Sequence, residues 1–174
     1  MIHQTHYTDS FPAREGTRDM TATRHRTWHL LGNILKFHAF SAETGGRYAL
    51  VEALSAPGAG APPNRHAGED EAFYILEGEY AFMVDGDMRR ARAGDYVRVP
   101  DGALHAFTCV SETPGRMLII NAPGTVHDRF FTEAGEPLPE GATDFPAPKG
   151  APDIPALVAI ADRAGVRIEV PAPA

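Results

Sequence analysis

Short apolar runs separated by turn-forming residues recur through the middle of the chain. The run 34–40 alternates between an apolar face and a face that carries Lys36 and His38, which is the period-two pattern of a half-buried strand. Asp85-Gly86 separates two further runs and is typical of a two-residue β-hairpin turn. The other runs that predict strands are 48–54, 72–76, 80–84, 88–91, 104–110 and 117–121. Many short strands with Gly and Pro turns between them predict an all-β sandwich or barrel.

Two of these runs, 72–76 and 117–120, are apolar on both faces. A strand with one face in water would alternate apolar with polar side chains. Something must therefore cover the second face, and a second copy of the chain is the simplest cover. We expect a homodimer.

The C-terminal part has a helical period. Ile154, Leu157, Ile160, Ala161 and Ala164 form one apolar stripe, which should pack on the barrel. Asp153 is suited to cap the start of this helix, and Gly165 is suited to end it. The expected organisation is an N-terminal arm at 1–27, a barrel at 28–131, and a Pro/Gly-rich connector with the helix at 132–174.

Composition narrows the class of protein. The 174 residues carry a net charge of −7 and a single cysteine, and no basic cluster is evident. This argues against nucleic acid as the main partner and against a disulfide framework. No apolar run approaches the length of a membrane span, and the first ten residues lack the features of a signal peptide. We expect a cytoplasmic protein without a membrane partner.

Candidate chemistry is concentrated between residues 58 and 109. Asn64 and His66 share one face of a strand because successive side chains alternate. Glu71 follows a short predicted turn, in which Glu69 and Asp70 are interpreted as solvated, and His105 begins another apolar run. Two imidazoles and a carboxylate brought together across strands suit a transition metal with open coordination positions.

Two sequence motifs contain these residues. Residues 58–78 resemble the cupin motif G-x5-HxH-x4-E-x6-G, and residues 94–109 resemble its partner G-x5-PxG-x2-H-x3-N. Every fixed position matches except two: Asn64 stands where the first histidine belongs, and Cys109 stands where the asparagine belongs. The resemblance implies the cupin double-stranded β-helix, a jelly-roll barrel, here with a short C-terminal helix.

The motifs and their flanking segments resemble small bacterial cupins of the quercetin (flavonol) 2,3-dioxygenase type. That resemblance implies one divalent transition metal, which is iron, nickel, copper, manganese or zinc, held by His66, Glu71 and His105. Asn64 is a doubtful fourth ligand, because an amide oxygen is a weaker ligand than imidazole. It could instead bind a water or a substrate oxygen. Glu71 is also the candidate catalytic residue, as the acceptor of a proton from an enolic or phenolic hydroxyl.

The side chains on the same strand faces as Glu71 and His105 predict the substrate pocket. They are Phe73, Ile75, Phe107 and Cys109, and together they would surround a few polar groups with apolar surface, the usual form of a small-molecule site. His127 is interpreted as structural or exposed. Fold does not decide function, so a metal-free binding or sensing protein and an isomerase or cyclase remain alternatives to the dioxygenase.

Overall fold

The computed structural model describes residues 25–147 and 149–169 of the chain. Most of the predicted N-terminal arm, residues 1–24, lies outside the described residues. The strands are β1 (Thr27–Leu30), β2 (Asn33–Ala39), β3 (Ala49–Ser55), β4 (Gly60–His66), β5 (Asp70–Glu77), β6 (Glu79–Val84), β7 (Asp87–Arg92), β8 (Tyr96–Val99), β9 (His105–Cys109), β10 (Gly115–Ala122), β11 (Glu136–Pro137) and β12 (Val166–Ile168). A 3-10 helix spans Ser41–Thr44, and the α-helices are α1 (Thr125–Ala134) and α2 (Ile154–Ala164).

The strands form two antiparallel sheets that face each other. The seven-stranded sheet has the order β11-β1-β2-β3-β10-β5-β8, and the five-stranded sheet has the order β12-β4-β9-β6-β7. The chain crosses repeatedly between the sheets, so that β4 and β5 carry the two halves of the first motif on opposite layers. This arrangement confirms the predicted all-β jelly roll.

Aromatic side chains fill the space between the sheets. Phe73 on β5 packs against Phe82 on β6 and Phe107 on β9, with ring centroids 5.0 and 5.6 Å apart. Tyr80 and Phe82 are almost completely buried. Such offset or tilted ring pairs add to the stabilisation that burial of apolar area provides. The aromatic core fixes the spacing of the two sheets, and therefore of the residues that face inward.

Side chains alternate between the buried and exposed faces of β5 as predicted. Glu71, Phe73 and Ile75 are buried while Asp70 and Tyr74 are exposed. The Asp85-Gly86 turn also forms as predicted, with φ of 49° and 91°. Both central residues of a type I′ hairpin turn need positive φ.

Of the two α-helices, α2 was predicted from the sequence and α1 was not. Helix α2 has the predicted bounds, the Asp153 carboxylate accepts a hydrogen bond from the Ala156 N–H at 3.0 Å, and Gly165 ends the helix with φ of 101°. Leu157 on its stripe is buried, but Ile154 is exposed. Helix α1 and strand β12 were not predicted.

Helix α1 and strand β12 close one end of the barrel. Helix α1 contacts α2, β1, β3, β10 and β12, and β12 pairs with β4 at the residues Asn64, Arg65 and His66. The C-terminal segment therefore extends the five-stranded sheet beside the first motif. Helix α2, which directly precedes β12, lies at the same end of the barrel.

The outer face of the seven-stranded sheet retains exposed aromatic groups. Tyr74 is 40% exposed and Tyr96 is 56% exposed, which matches the two-sided apolar pattern in the sequence. The homodimer stays a prediction. No helix within residues 25–147 and 149–169 has the length and apolar character needed to cross a membrane.

Asp128 anchors helix α1 to the barrel. Its Oδ2 accepts hydrogen bonds from the backbone N–H and the hydroxyl of Ser41, at 2.8 and 2.5 Å, and Asp128 itself is buried. Asp128→Ala should lower the free energy of unfolding by about 1–3 kcal/mol, because it leaves buried donors without an acceptor. Urea denaturation measures this change. Asp162→Ala, at an exposed position on α2, is the matched control, and equal stability of the two variants would contradict the anchoring role.

Candidate metal centre

Three histidines converge on the carboxylate of Glu71. Nε2 of His105 lies 2.9 Å and Nε2 of His66 lies 3.5 Å from Glu71 Oε2, and Nε2 of His127 lies 3.6 Å from Glu71 Oε1. All four side chains are buried, with residue exposures of 3–4%. Strands β4, β5 and β9 and helix α1 each contribute one of them. The structure thus brings together the predicted His66, Glu71 and His105 and adds His127.

His127 is buried rather than exposed, and it faces the site. Its ligand atom and those of His66 and Glu71 all lie within 4.8 Å of one another, and its ring centroid is 4.6 Å from that of His66. A helical spacing in the sequence could have indicated that His127 is buried. His127, Phe130 and Phe131 recur at helical spacing and form the buried face of α1, although the segment was interpreted as the end of the barrel.

Glu69 corrects the sequence interpretation, because it is not a solvated turn residue. It is 1% exposed, its Oε1 accepts a hydrogen bond from Nδ1 of His127, and its Oε2 accepts one from the Val126 N–H at 3.2 Å. The strand alternation that turns Glu71 inward already applies two residues earlier, so Glu69 faces inward as well. Asp70 between them is exposed, as predicted, but it begins β5 rather than lying in a turn, and it pairs with Arg98.

Hydrogen bonds at Nδ1 leave Nε2 of two histidines as the atom facing Glu71. Nδ1 of His105 donates to the carbonyl oxygen of Ala103 at 2.9 Å, and Nδ1 of His127 donates to Glu69. Each Nε2 then either carries a second proton or directs its lone pair toward a shared cation. This is the pattern by which outer partners orient metal-binding histidines.

His66 provides an independent sign that the cluster fits a metal. Both of its ring nitrogens are buried, and neither makes a hydrogen bond within the described part of the chain. Buried polar atoms are normally paired, and unpaired ones often mark an ion or a catalytic role. Within the described residues, the side chains that lie close enough to share one cation are those of His66, Glu71 and His127. Two imidazoles and one carboxylate suit iron, nickel, copper, manganese or zinc rather than calcium or magnesium. His105 contacts Glu71 but is not among these three.

The electrostatics of the cluster are strongly coupled. Burial raises the pKa of the Glu71 carboxyl, but the nearby His127, His105 and His66 outweigh it and hold that pKa well below its usual range. Burial lowers the pKa of His127, and the Glu71 and Glu69 carboxylates outweigh it, so the His127 pKa is raised. The pKa of Glu69 is lowered against the effect of burial, chiefly by His127. Glu71 is therefore ionised at neutral pH and available as a ligand.

Asn64 occupies the expected strand face but is engaged with the backbone. It is buried, and its Nδ2 donates to the carbonyl oxygens of Pro62 and His105 at 3.0 and 3.3 Å. It lies opposite His105 in the β4–β9 register, where the pairing is irregular. Its amide therefore ties the two ligand-bearing strands together.

An apolar cavity of about 60 Å³ adjoins the cluster. The predicted pocket residues Phe73 and Phe107 line it, together with Asn64, Glu71, His105 and His127. Ile75 and Cys109 have the predicted facing but do not line this cavity. They lie deeper, where Cys109 is opposite the buried Tyr80 in the β6–β9 register. The lining residues that the sequence did not predict lie on α1, β2, β4, β10 and β12 and at the β1–β2 turn.

The sequence of residues 52–121, which includes His66, Glu71 and His105, matches the cupin domain family. Residues 52–121 are therefore a cupin domain. A cupin from Shewanella frigidimarina, described as RmlC-like, superposes with a TM-score of 0.50 at 22% identity over 57% of this chain and 85% of that one. A predicted oxalate decarboxylase from Thermotoga maritima gives 0.54 at 19% identity, covering 56% and 92% of the two chains. These likenesses confirm the predicted cupin fold and say nothing of activity.

Curated relatives match over similar or shorter stretches of this chain. Quercetin 2,3-dioxygenase of Bacillus subtilis is 27% identical over 99 residues, which are 57% of this cupin and 29% of that protein. An uncharacterized protein of Methanocaldococcus jannaschii is 25% identical over 84 residues, 48% of this cupin and 67% of that protein. This cupin thus matches less than a third of the length of the dioxygenase.

Loss of His127 tests the composition of the centre. His127→Ala should weaken Ni(II) binding by more than tenfold, and Glu69→Gln should weaken it by about 10–100-fold, because an outer partner that orients a ligand typically contributes that much. Isothermal titration calorimetry measures both. His38→Ala, an exposed histidine paired with Glu52, is the control. Wild-type affinity in His127→Ala, with loss of binding in His105→Ala, would restrict the ligands to the three that the sequence motifs predict.

Proposed function

We propose that this cupin binds one divalent transition metal through His66, Glu71, His105 and His127 and acts as a dioxygenase-type oxidoreductase on a small enolic or phenolic compound. The observation that carries the proposal is the convergence of three imidazole Nε2 atoms on one buried carboxylate beside an apolar cavity. The likeness to quercetin 2,3-dioxygenase over the barrel supports the reaction class.

The missing motif histidine has a substitute in this arrangement. Asn64 binds backbone carbonyls, while His127 reaches the cluster from helix α1. A set of three histidines and one glutamate is thereby completed from a different element. Glu69 holds the His127 ring by its Nδ1 and so keeps Nε2 directed at Glu71.

The roles of the side chains follow from their surroundings. A bound transition metal would supply Lewis-acid activation of the substrate hydroxyl and, if redox-active, the electron exchange that dioxygen needs. Glu71 is a weak base because its pKa is depressed, so it would accept a proton only from an acidic enolic or phenolic hydroxyl. Phe73 and Phe107 hold the apolar body of the substrate and exclude water.

A metal-free binding protein is the second candidate. The observation in its favour is the buried Glu69–His127 ion pair, which neutralises part of the cluster without a cation. Such a protein would bind a hydroxylated ligand at the same cavity through the histidines, without turnover.

Oxygen consumption separates the two candidates. The Fe(II)- or Ni(II)-loaded protein should consume oxygen with catechol or 3-hydroxyflavone, and chelation of the metal should abolish this. Glu71→Gln should lower the rate by about 10²–10⁴-fold, the usual contribution of a positioned proton acceptor. Glu77→Gln, an exposed glutamate on the same strand, is the control. Metal uptake or ligand binding without oxygen consumption would favour the binding protein.

A further inference from the structure

Asn121 is a buried polar residue that adjoins the cluster without being one of its histidines or its carboxylate. It lies on β10, directly opposite Glu71 in the β5–β10 pairing, and it is 0% exposed. Its Nδ2 donates a hydrogen bond to Glu71 Oε1 at 3.0 Å. Nδ2 also lies 3.0 Å from Nδ1 of His127, but that ring nitrogen donates to Glu69. Glu71 is therefore the acceptor for the Asn121 amide.

Packing alone does not account for an amide at this position. The buried Oδ1 of Asn121 makes no hydrogen bond within residues 25–147 and 149–169. Both amide atoms of the buried Asn33, in contrast, are hydrogen-bonded. An unpaired buried polar atom costs free energy, and an apolar side chain of the same shape would avoid that cost. The contribution of Asn121 therefore lies in the hydrogen bond from its Nδ2.

The two oxygens of the Glu71 carboxylate have different partners. Oε2 lies 2.9 Å from Nε2 of His105 and 3.5 Å from Nε2 of His66. Oε1 accepts the hydrogen bond from Asn121, and Nε2 of His127 lies 3.6 Å from the same oxygen. A separation of 3.6 Å is longer than a hydrogen bond. A gap therefore remains between the carboxylate and the His127 imidazole, although the two groups face each other.

The backbone that presents Asn121 is tightly held. Strand β10 lies between β3 and β5, with Asn121 opposite Ala49 on one side and Glu71 on the other. Gly124, in the turn from β10 to α1, has φ of 89°, and a Cβ there would come within 2.9 Å of the carbonyl oxygen of Asn121. Asn121 is therefore a fixed donor that orients the longer Glu71 side chain.

We propose that Asn121 is a positioning residue of the metal centre: it holds Glu71 Oε1 away from His127 and so keeps the gap between them free for a cation. Without this hydrogen bond, Oε1 would turn toward Nε2 of His127, which faces the same oxygen. A direct carboxylate–imidazole hydrogen bond would then occupy one ligand atom of each residue. This inference rests on the proposed function, because it requires Glu71 and His127 to share a metal.

Removal of the amide tests the positioning role directly. Asn121→Leu keeps a similar shape without the donor, and Asn121→Ala removes the donor without adding bulk. In metal-free crystals of either variant, the distance between Glu71 Oε1 and His127 Nε2 should contract from 3.6 Å to a hydrogen-bond length of about 2.7–3.2 Å. Ser55→Ala is the matched control and should leave this distance unchanged. It removes a buried hydrogen bond to Asn33 at the other end of the β3–β10 pairing.

Metal binding provides the second measurement. Ni(II) affinity should fall by about 10–100-fold in Asn121→Leu and Asn121→Ala, which is the usual effect of losing a partner that orients a ligand. Ser55→Ala should bind Ni(II) as tightly as the wild type. Isothermal titration calorimetry measures these affinities, with thermal melting as the check of folding. The visible absorption of the Co(II)-loaded proteins should change in the Asn121 variants alone, because it reports the geometry of the ligands.

The outcomes separate this inference from the proposed function. An unchanged distance between Glu71 and His127 in the Asn121 variants, or a contracted distance with wild-type Ni(II) affinity, would overturn the positioning role and leave the proposed metal centre standing. An equal loss of affinity in Ser55→Ala would assign the effect to reduced stability and would also overturn it. If the wild-type protein binds no Ni(II), the proposed function fails in its metal requirement, and this inference fails with it.

Discussion

Burial of two carboxylates within one network is the constraint on which the site depends. Glu69 and Glu71 are almost inaccessible to water, and an ionised carboxylate removed from water is costly unless it is paired and hydrogen-bonded. His66, His105 and His127 surround Glu71, and His127 also pairs with Glu69. Without a metal, His127 offsets part of this negative charge, because the Glu71 and Glu69 carboxylates raise its pKa. A divalent cation would relieve the remaining negative charge further.

The scaffold satisfies this constraint by bringing elements from both sheets and one helix to the same point. Strand β5 carries Glu71, and Glu69 lies directly before it. Strands β4 and β9 of the opposite sheet carry His66 and His105, and the aromatic core between the sheets sets their separation from β5. Helix α1 adds His127 and is itself tied to the barrel by Asp128. The helix that closes the barrel thus also completes the cluster, so packing and chemistry are coupled through it.

Short-range patterns predicted most of the barrel. Strand alternation placed Glu71, His66 and His105 on inward faces, the Asp85-Gly86 pair fixed a hairpin, and the cap residues gave the correct bounds of α2. These features depend on a few adjacent residues, so they can be read locally. The motif spacing then supplied the cupin topology, which local patterns alone do not define.

The missed features depend on long-range packing. His127 lies in a segment with few apolar residues, and its role emerges only when α1 folds over the mouth beside β12. Glu69 was assigned to a turn because it precedes the apolar run, yet its partner His127 is 58 residues away.

The central claim is that His127 takes the place that the motif gives to a histidine at position 64. A double variant, His127→Ala with Asn64→His, moves the imidazole from helix α1 to strand β4. If the claim is right, Ni(II) affinity falls in His127→Ala and recovers in the double variant to within about tenfold of the wild type, since the ligand count is restored. Calorimetric titration of the three proteins decides this. The claim would be contradicted if Ni(II) affinity did not recover in the double variant, or if His127→Ala alone kept the full wild-type affinity.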